Sequence, residues 1–197
     1  QIKSVEGRLQ LIRTLPNNSK IFLDYAHTPD ALKNALLSLR EHFQKKITVI
    51  FGCGGERDKS KRNLMGQVAK KYCDKIYITD DNPRNESPKK IRKDIMKGLK
   101  NSKAREIGNR KKAILYALKN SDPFEVILIA GKGHENYQDL GKRKIYLSDK
   151  NLTKNFKNKK IFSNKKKNNL RYNGVILNRI LKNKKNYLFN GVSINSK

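Results

Sequence analysis

Residues 20–30, Lys20-Ile21-Phe22-Leu23-Asp24-Tyr25-Ala26-His27-Thr28-Pro29-Asp30, read as a strand that feeds directly into a helix. Ile21, Phe22 and Leu23 form an apolar run of the length of a buried strand. Thr28 is a helix-capping residue, and Pro29 follows in the first turn, where a missing N–H costs nothing. Ala31, Leu32, Ala35, Leu36, Leu39 and Phe43 then recur at helical spacing.

The same unit repeats outward from this stretch. Ile47–Phe51 is a second apolar run, followed by a glycine-rich turn and a helix carrying Leu64, Met65, Val68, Ala69 and Tyr72. A strand at 75–79 precedes a helix from Pro88 with Ile91, Ile95 and Leu99. A short strand near 105–107 leads to a helix with Ala113, Ile114, Ala117 and Leu118. Glu125–Ala130 is the most apolar strand, and Lys144–Leu147 has the character of an edge strand. Strands alternating with helices predict an α/β fold: a doubly wound, mostly parallel, Rossmann-like sheet with helices on both faces.

Composition narrows the class. The chain has 197 residues and a formal net charge of +29, which at first suggests nucleic acid. Residues 151–197, however, hold 13 Lys/Arg, no Asp or Glu and 12 Asn, and a Lys/Asn bias runs through the whole chain. That is a compositional drift, not a shaped basic stripe, so no nucleic acid is expected as a partner. The two cysteines, Cys53 and Cys73, form no CxxC pair, and a reducing cytoplasm is the simplest compartment. No apolar run reaches the ~18 residues of a membrane span. A first residue Gln1 suggests a piece of a longer product. The expected organisation is the end of an interdomain linker at 1–6, an α/β domain at 7–155, a basic linker at 156–169 and the truncated start of a second domain at 170–197.

Parallel strands bring the loops after them to one sheet edge, where open α/β folds bind ligands. Four such loops carry chemistry. The first supplies Asp24, Tyr25 and His27 beside a helix N-terminus, a place that favours anions. The second, Phe51-Gly52-Cys53-Gly54-Gly55-Glu56-Arg57-Asp58-Lys59, has three glycines that allow close backbone approach to a ligand, and adds Arg57 and Lys59. The third, Thr79-Asp80-Asp81-Asn82-Pro83-Arg84, delivers an amide and a guanidinium suited to a carboxylate; Pro83 forces the chain out of the sheet. The fourth, Ala130-Gly131-Lys132-Gly133-His134-Glu135, offers Glu135 to an ammonium. A site with both signs fits an amino acid. A bland alternative stands beside each loop, namely a capped or tight turn. Cys53 and Cys73 lack a base partner and read as packing residues.

In this order, DYAHTPDAL (24–32), GCGGERDKSKR (52–62), DDNPR (80–84) and AGKGHE (130–135) resemble the C-terminal domain of the Mur ligases, over about residues 5–155. Within the family the likeness is to the branch that adds the third residue of the peptidoglycan stem peptide. The resemblance implies ATP and Mg²⁺ as cofactors, and UDP-N-acetylmuramoyl-L-alanyl-D-glutamate and meso-diaminopimelate as partners. An acyl phosphate of the UDP-linked peptide would be attacked by the incoming amine. It further implies that Arg57, Asn82, Pro83, Arg84, Gly131 and Glu135 hold diaminopimelate, and that Arg8, Asp24 and His27 face the nucleotide, with Asp24 near the ribose. The family's phosphate loop, metal ligands and carbamylated lysine belong to an upstream domain. No Gly-Lys-Ser/Thr run occurs here, so neither a catalytic residue nor a metal site is expected in this chain, and it should not turn over alone. Residues 189–197, FNGVSINSK, are similar to the opening of the family's D-alanyl-D-alanine-adding member, which implies a fusion; an unrelated basic extension is the alternative. A basic nucleic-acid-binding module and a folylpolyglutamate synthase-like ligase domain are the competing functions.

Overall fold

The computed structural model of the chain describes residues 6–157. The basic run from 158 and the apolar stretch at 170–197, with its expected second domain, lie outside the described residues.

Six strands form the main sheet: β1 (Gln10–Thr14), β2 (Lys20–Asp24), β3 (Ile47–Phe51), β4 (Lys75–Ile78), β5 (Arg105–Glu106) and β6 (Val126–Ala130). Their spatial order is β1-β2-β6-β3-β4-β5. All pairs are parallel except β1 with β2, which is antiparallel with an irregularity between Leu11 and Arg13. The helices are α1 (Pro29–Phe43), α2 (Ser60–Tyr72), α3 (Pro88–Lys97), α4 (Arg110–Lys119) and α5 (Asp149–Lys154). The helix start at Thr28 is as the sequence predicts: its hydroxyl accepts from Ala31 N, and Pro29 follows it.

Alternation along the central strands sorts their side chains into two cores. From β6, Val126, Leu128 and Ala130 pack with α1, α2 and α3, whereas Ile127 and Ile129 pack with α4 and Phe156. Phe156, placed by the sequence reading at the start of a linker, instead helps to close this second core because its ring is buried there. Helices α2 and α3 approach through glycine: a Cβ on Gly98 would run into the Asn63 carbonyl, and one on Gly66 would run into that of Ile95.

Two elements differ from expectation. β1 is unannounced in the sequence because it lies at an edge and is only half-buried. Lys144–Tyr146, expected at an edge of the main sheet, forms instead β8 of a separate antiparallel pair with β7 (Tyr137–Asp139). Both edges of the main sheet are already held by β1 and β5. No helix among the described residues is long and apolar enough to cross a membrane.

Candidate functional site

The loops after β2, β3, β4 and β6 meet at the carboxyl edge of the sheet, around a cavity of about 510 Å³. Its walls include Tyr25, His27 and Thr28 from the first loop, Gly54 and Arg57 from the second, Asp81, Asn82 and Arg84 from the third, and Gly131 and Glu135 from the fourth. Asp58 and Lys61 complete the lining. The site therefore presents three cationic side chains and three carboxylates to one space.

The second and third loops are interlocked through backbone. A Cβ on Gly52 would strike the Thr79 carbonyl, and one on Gly55 would strike that of Pro83. The expectation that these glycines admit a ligand is corrected here: they admit the neighbouring loop, and only Gly54 reaches the cavity. Arg62, wholly buried on α2, ties the pair down by donating to both Glu86 oxygens at 2.7 Å and to Asp94 at 3.2 Å. Hydrogen bonds from Arg62, against a smaller effect of burial, hold the Glu86 carboxyl at about 2.

Arg84 has a left-handed backbone, φ 51°. Three contacts hold it. Its N–H donates to the Asp139 carbonyl at 3.1 Å, its Nη1 donates to the Gly55 carbonyl at 2.7 Å, and its Nε lies 3.9 Å from Asp139 Oδ2. The β7–β8 hairpin is thus the backstop of the third loop, and Gln138 Nε2 adds a bond to the Asp81 carbonyl at 2.6 Å.

Asn82 is not a free hand for a carboxylate. Its Oδ1 accepts from Lys132 Nζ and from Asp139 N, both at 3.0 Å, and its Nδ2 donates to Glu135 Oε2 at 3.0 Å. Burial acts on the Glu135 carboxyl to push it up, but Lys132 and Asn82 together outweigh burial and hold it below the usual range. Asp81 is pushed the other way: burial raises it, with Arg110 and Lys132 opposing. Gly131 adopts φ 107° directly beneath Asp81, where a side chain would meet Asp81 Oδ2 at 2.7 Å.

The remaining expected residues fall elsewhere. Pro83 is buried and does not line the cavity; its carbonyl accepts from Glu86 N at 3.1 Å. Asp24 is also buried, because its two oxygens serve the backbone N–H groups of Leu9 (2.7 Å) and Ala26 (2.6 Å). Arg8 stands over the Tyr25 ring at 5.5 Å, with His27 against the ring edge and His134 stacked beside it. Both cysteines are unpaired by disulfide, and burial pushes the Cys53 thiol up to about 12.

Sequence reasoning missed the buried cations Arg62, Arg110 and Lys132. Arg110 grips Asp149 through Nε and Nη2 and donates to the Ala130 carbonyl, fixing the root of the fourth loop. Only the position of Arg62, three residues before the buried Met65, hinted that it faces inward.

A family model described as the glutamate ligase domain of Mur ligase matches residues 7–133. UDP-N-acetylmuramoyl-L-alanyl-D-glutamate--2,6-diaminopimelate ligase from Rickettsia montanensis is 50% identical over 151 residues, which cover 76% of this chain and 31% of that protein. The protein of the same name from Haemophilus influenzae strain Rd is 47% identical over 156 residues, 79% of this chain and 32% of its own length. A solved structure of a ligase of that name superposes with a TM-score of 0.70 at 36% identity, covering 78% of this chain and 31% of that one. A bifunctional folylpolyglutamate synthase/dihydrofolate synthase from Yersinia pestis, at TM-score 0.53 and 23% identity over 66% of this chain and 29% of its own, shares the fold. The chain spans about a third of the length of the curated relatives it matches.

Proposed function

The chain belongs to the Mur ligase family, and from that membership we propose that it is the amino-acid-binding domain of an ATP-dependent ligase that adds meso-diaminopimelate to UDP-N-acetylmuramoyl-L-alanyl-D-glutamate in peptidoglycan synthesis. The observation that carries this reading is the meeting of Arg57 and Arg84 with Glu135 in one cavity. Guanidinium groups suit a carboxylate and a carboxylate suits an ammonium, so the cavity suits a zwitterion. The names of relatives at 47–50% identity support the same substrate.

The chemistry sets which end of diaminopimelate sits there. A carboxylate contact stabilises the ammonium form, whereas an attacking amine must be neutral. Glu135 therefore holds the amine that does not react. Arg84 pairs with the carboxylate of that same far end, and the other amine points out toward the activated D-glutamate. Amide formation joins that nitrogen to the acyl carbon, and the phosphate departs with the C–O electron pair. The nitrogen gives up one of its two protons to solvent or the departing phosphate, keeping the other as the amide N–H. ATP, as co-substrate, supplies the phosphoryl group that activates the acyl carbon. The described residues contain no cluster of three or more His, Cys, Asp or Glu able to hold a metal ion, so they offer Mg²⁺ no ready-made ligand set. Arg8, His27 and Tyr25 form the wall for the nucleotide, while Asp24 acts behind it by fixing Leu9 N and hence the Arg8 segment. Cytoplasm is the compartment this substrate set implies.

Lysine has the far ammonium but lacks the far carboxylate, so Arg84 would be left without its ligand partner. A site built to bond a group rejects the analogue lacking it strongly. The test is ATP-dependent ligation by the full-length gene product with meso-diaminopimelate and with L-lysine, repeated for Arg84→Ala. Preference for lysine, or a preference for diaminopimelate untouched by Arg84→Ala, overturns the reading.

A further inference from the structure

Lys132 is the one buried cation of the four loops, and it stands outside the cavity lining. Its side chain is wholly buried. Its Nζ lies 3.0 Å from Glu135 Oε2 and 3.0 Å from Asn82 Oδ1, and it stands 5.3 Å from the centre of the Tyr137 ring. Asn82 Nδ2 closes the triangle on Glu135 Oε2, again at 3.0 Å. All three groups are locked by neighbours. Asp139 N also donates to Asn82 Oδ1, which settles which way the amide points. Glu135 Oε1, by contrast, takes no hydrogen bond among the described residues, and Glu135 lines the cavity.

A buried lysine is costly unless paired, and here it is paired with two oxygens and a ring. Its position divides the work of the Glu135 carboxylate. One oxygen is held by a resident ammonium, and the other has no hydrogen-bond partner among the described residues. We infer that Lys132 is a positioning residue of the amino-acid site: it fixes Glu135 Oε2 and Asn82 Oδ1 so that Glu135 Oε1 is the acceptor offered to the substrate ammonium. This rests on the functional reading above, since it assumes that Glu135 receives an ammonium. Without Lys132 the carboxylate would rotate to collect other partners, and the substrate would have to reorder it on binding. Arg57, Lys61 and Arg84 balance Asp58, Asp81 and Glu135 in the cavity lining, and Lys132 is not part of that lining, so the charges in front of the carboxylate are the same when Lys132 is removed. The loss would be one of orientation.

The experiment is steady-state ligation by the full-length gene product as the wild type, Lys132→Met, Glu135→Gln and the double variant, with thermal melts alongside. Lys132→Met should raise KM for meso-diaminopimelate about tenfold or more, the scale of a lost charge-assisted hydrogen bond. The KM values for ATP and for the UDP-linked dipeptide should stay within about twofold, and kcat should fall by less than about threefold. The double variant should be no worse than Glu135→Gln alone, because Lys132 acts through Glu135. Should Lys132→Met fail to fold, the double variant, which removes both charges, carries the comparison. Additive losses, a uniform rise in every KM, or failure of both variants to fold would overturn the inference in favour of a purely structural lysine. A wild type that ligates diaminopimelate with an unchanged KM in Lys132→Met sinks this inference alone. A wild type that does not ligate it sinks the functional reading, and this inference with it.

Discussion

Arg84 and Gly55 are joined across two loops, with Arg84 Nη1 donating to the Gly55 carbonyl at 2.7 Å while the Arg84 backbone stands at φ 51°. A non-glycine residue in that region carries strain of about 1 kcal/mol or more. The strain and the bond oppose each other, and that separates the residue's structural role from its proposed role in recognition.

Arg84→Gly should remove the guanidinium and the backbone strain together. The melting temperature should change by less than about 4 °C, the scale of 1 kcal/mol in a domain of this size. The preference for diaminopimelate over lysine should fall about 100-fold or more. Calorimetry and a competition assay with both amino acids read the two effects. A fall of about 10 °C would make Arg84 a structural strut first.

Glycine to alanine ordinarily stabilises by up to about 1 kcal/mol inside a helix, where Gly66 lies, and also at a right-handed position just past a helix end, where Gly98 lies. At Gly66 and Gly98 the sign should reverse. A methyl on either would meet main-chain carbonyl oxygen of the neighbouring segment, which cannot swing aside as a side chain can. Each substitution should cost about 1–3 kcal/mol, the usual penalty of overpacking. Urea denaturation of the parent and both variants measures it, and stabilisation by either would mean that α2 and α3 can move apart cheaply.

The contact between Arg62 and Glu86 predicts an acid limb in the stability curve. The Glu86 carboxyl goes from an ordinary 4.5 to about 2 in the folded protein. A depressed folded value means stability that is complete above pH 4.5 and lost as pH falls toward 2. Asp80 and Asp81, raised chiefly by burial, have the opposite sign and offset part of the loss. Glu86→Gln should therefore be less stable than the parent at neutral pH by a constant margin that closes below pH 4.5. A margin independent of pH down to 2 would contradict the assignment; denaturant titrations across this range decide.

Asp149 and Arg110 are both without exposed side-chain surface, and Arg110 Nη1 has no hydrogen-bond partner among the described residues. Asp149→Ala should cost about 3–5 kcal/mol, since it strands a buried guanidinium. Arg110→Met with Asp149→Leu should recover most of that, apart from the bond to the Ala130 carbonyl. Equal losses in both would show that the ion pair itself supplies net stability. Chemical denaturation distinguishes the two.

The strand–helix order was legible because each unit carries its own punctuation, such as Thr28-Pro29 before α1 and Pro88 opening α3. β1 was not, since an edge strand needs only one buried face and its residues alternate weakly. Lys144–Tyr146 looked like a sheet edge because local pattern does not say which partner a strand will find. Of the site, Arg57, Arg84, Gly131 and Glu135 come together as the residue types suggest. Lys132 was invisible as a functional residue: sequence gives its charge, but only packing shows that the charge points inward. The glycines of the second loop misled for a related reason, since a missing Cβ can admit a neighbouring carbonyl as readily as a ligand.

The interlocking of the second and third loops leaves the cavity with two unlike jaws. On one side Gly52 and Gly55 seat against main chain, Arg62 clamps from below and the β7–β8 hairpin closes from behind. Nothing on that side can shift without breaking backbone contacts. On the other side the wall is made of ring faces and long side chains, with Tyr25 between His27, His134 and Arg8. On the proposed reading, the fixed jaw would gauge the length and charge of the amino acid, and the jaw of rings and long side chains would take up differences in what approaches from the opposite direction.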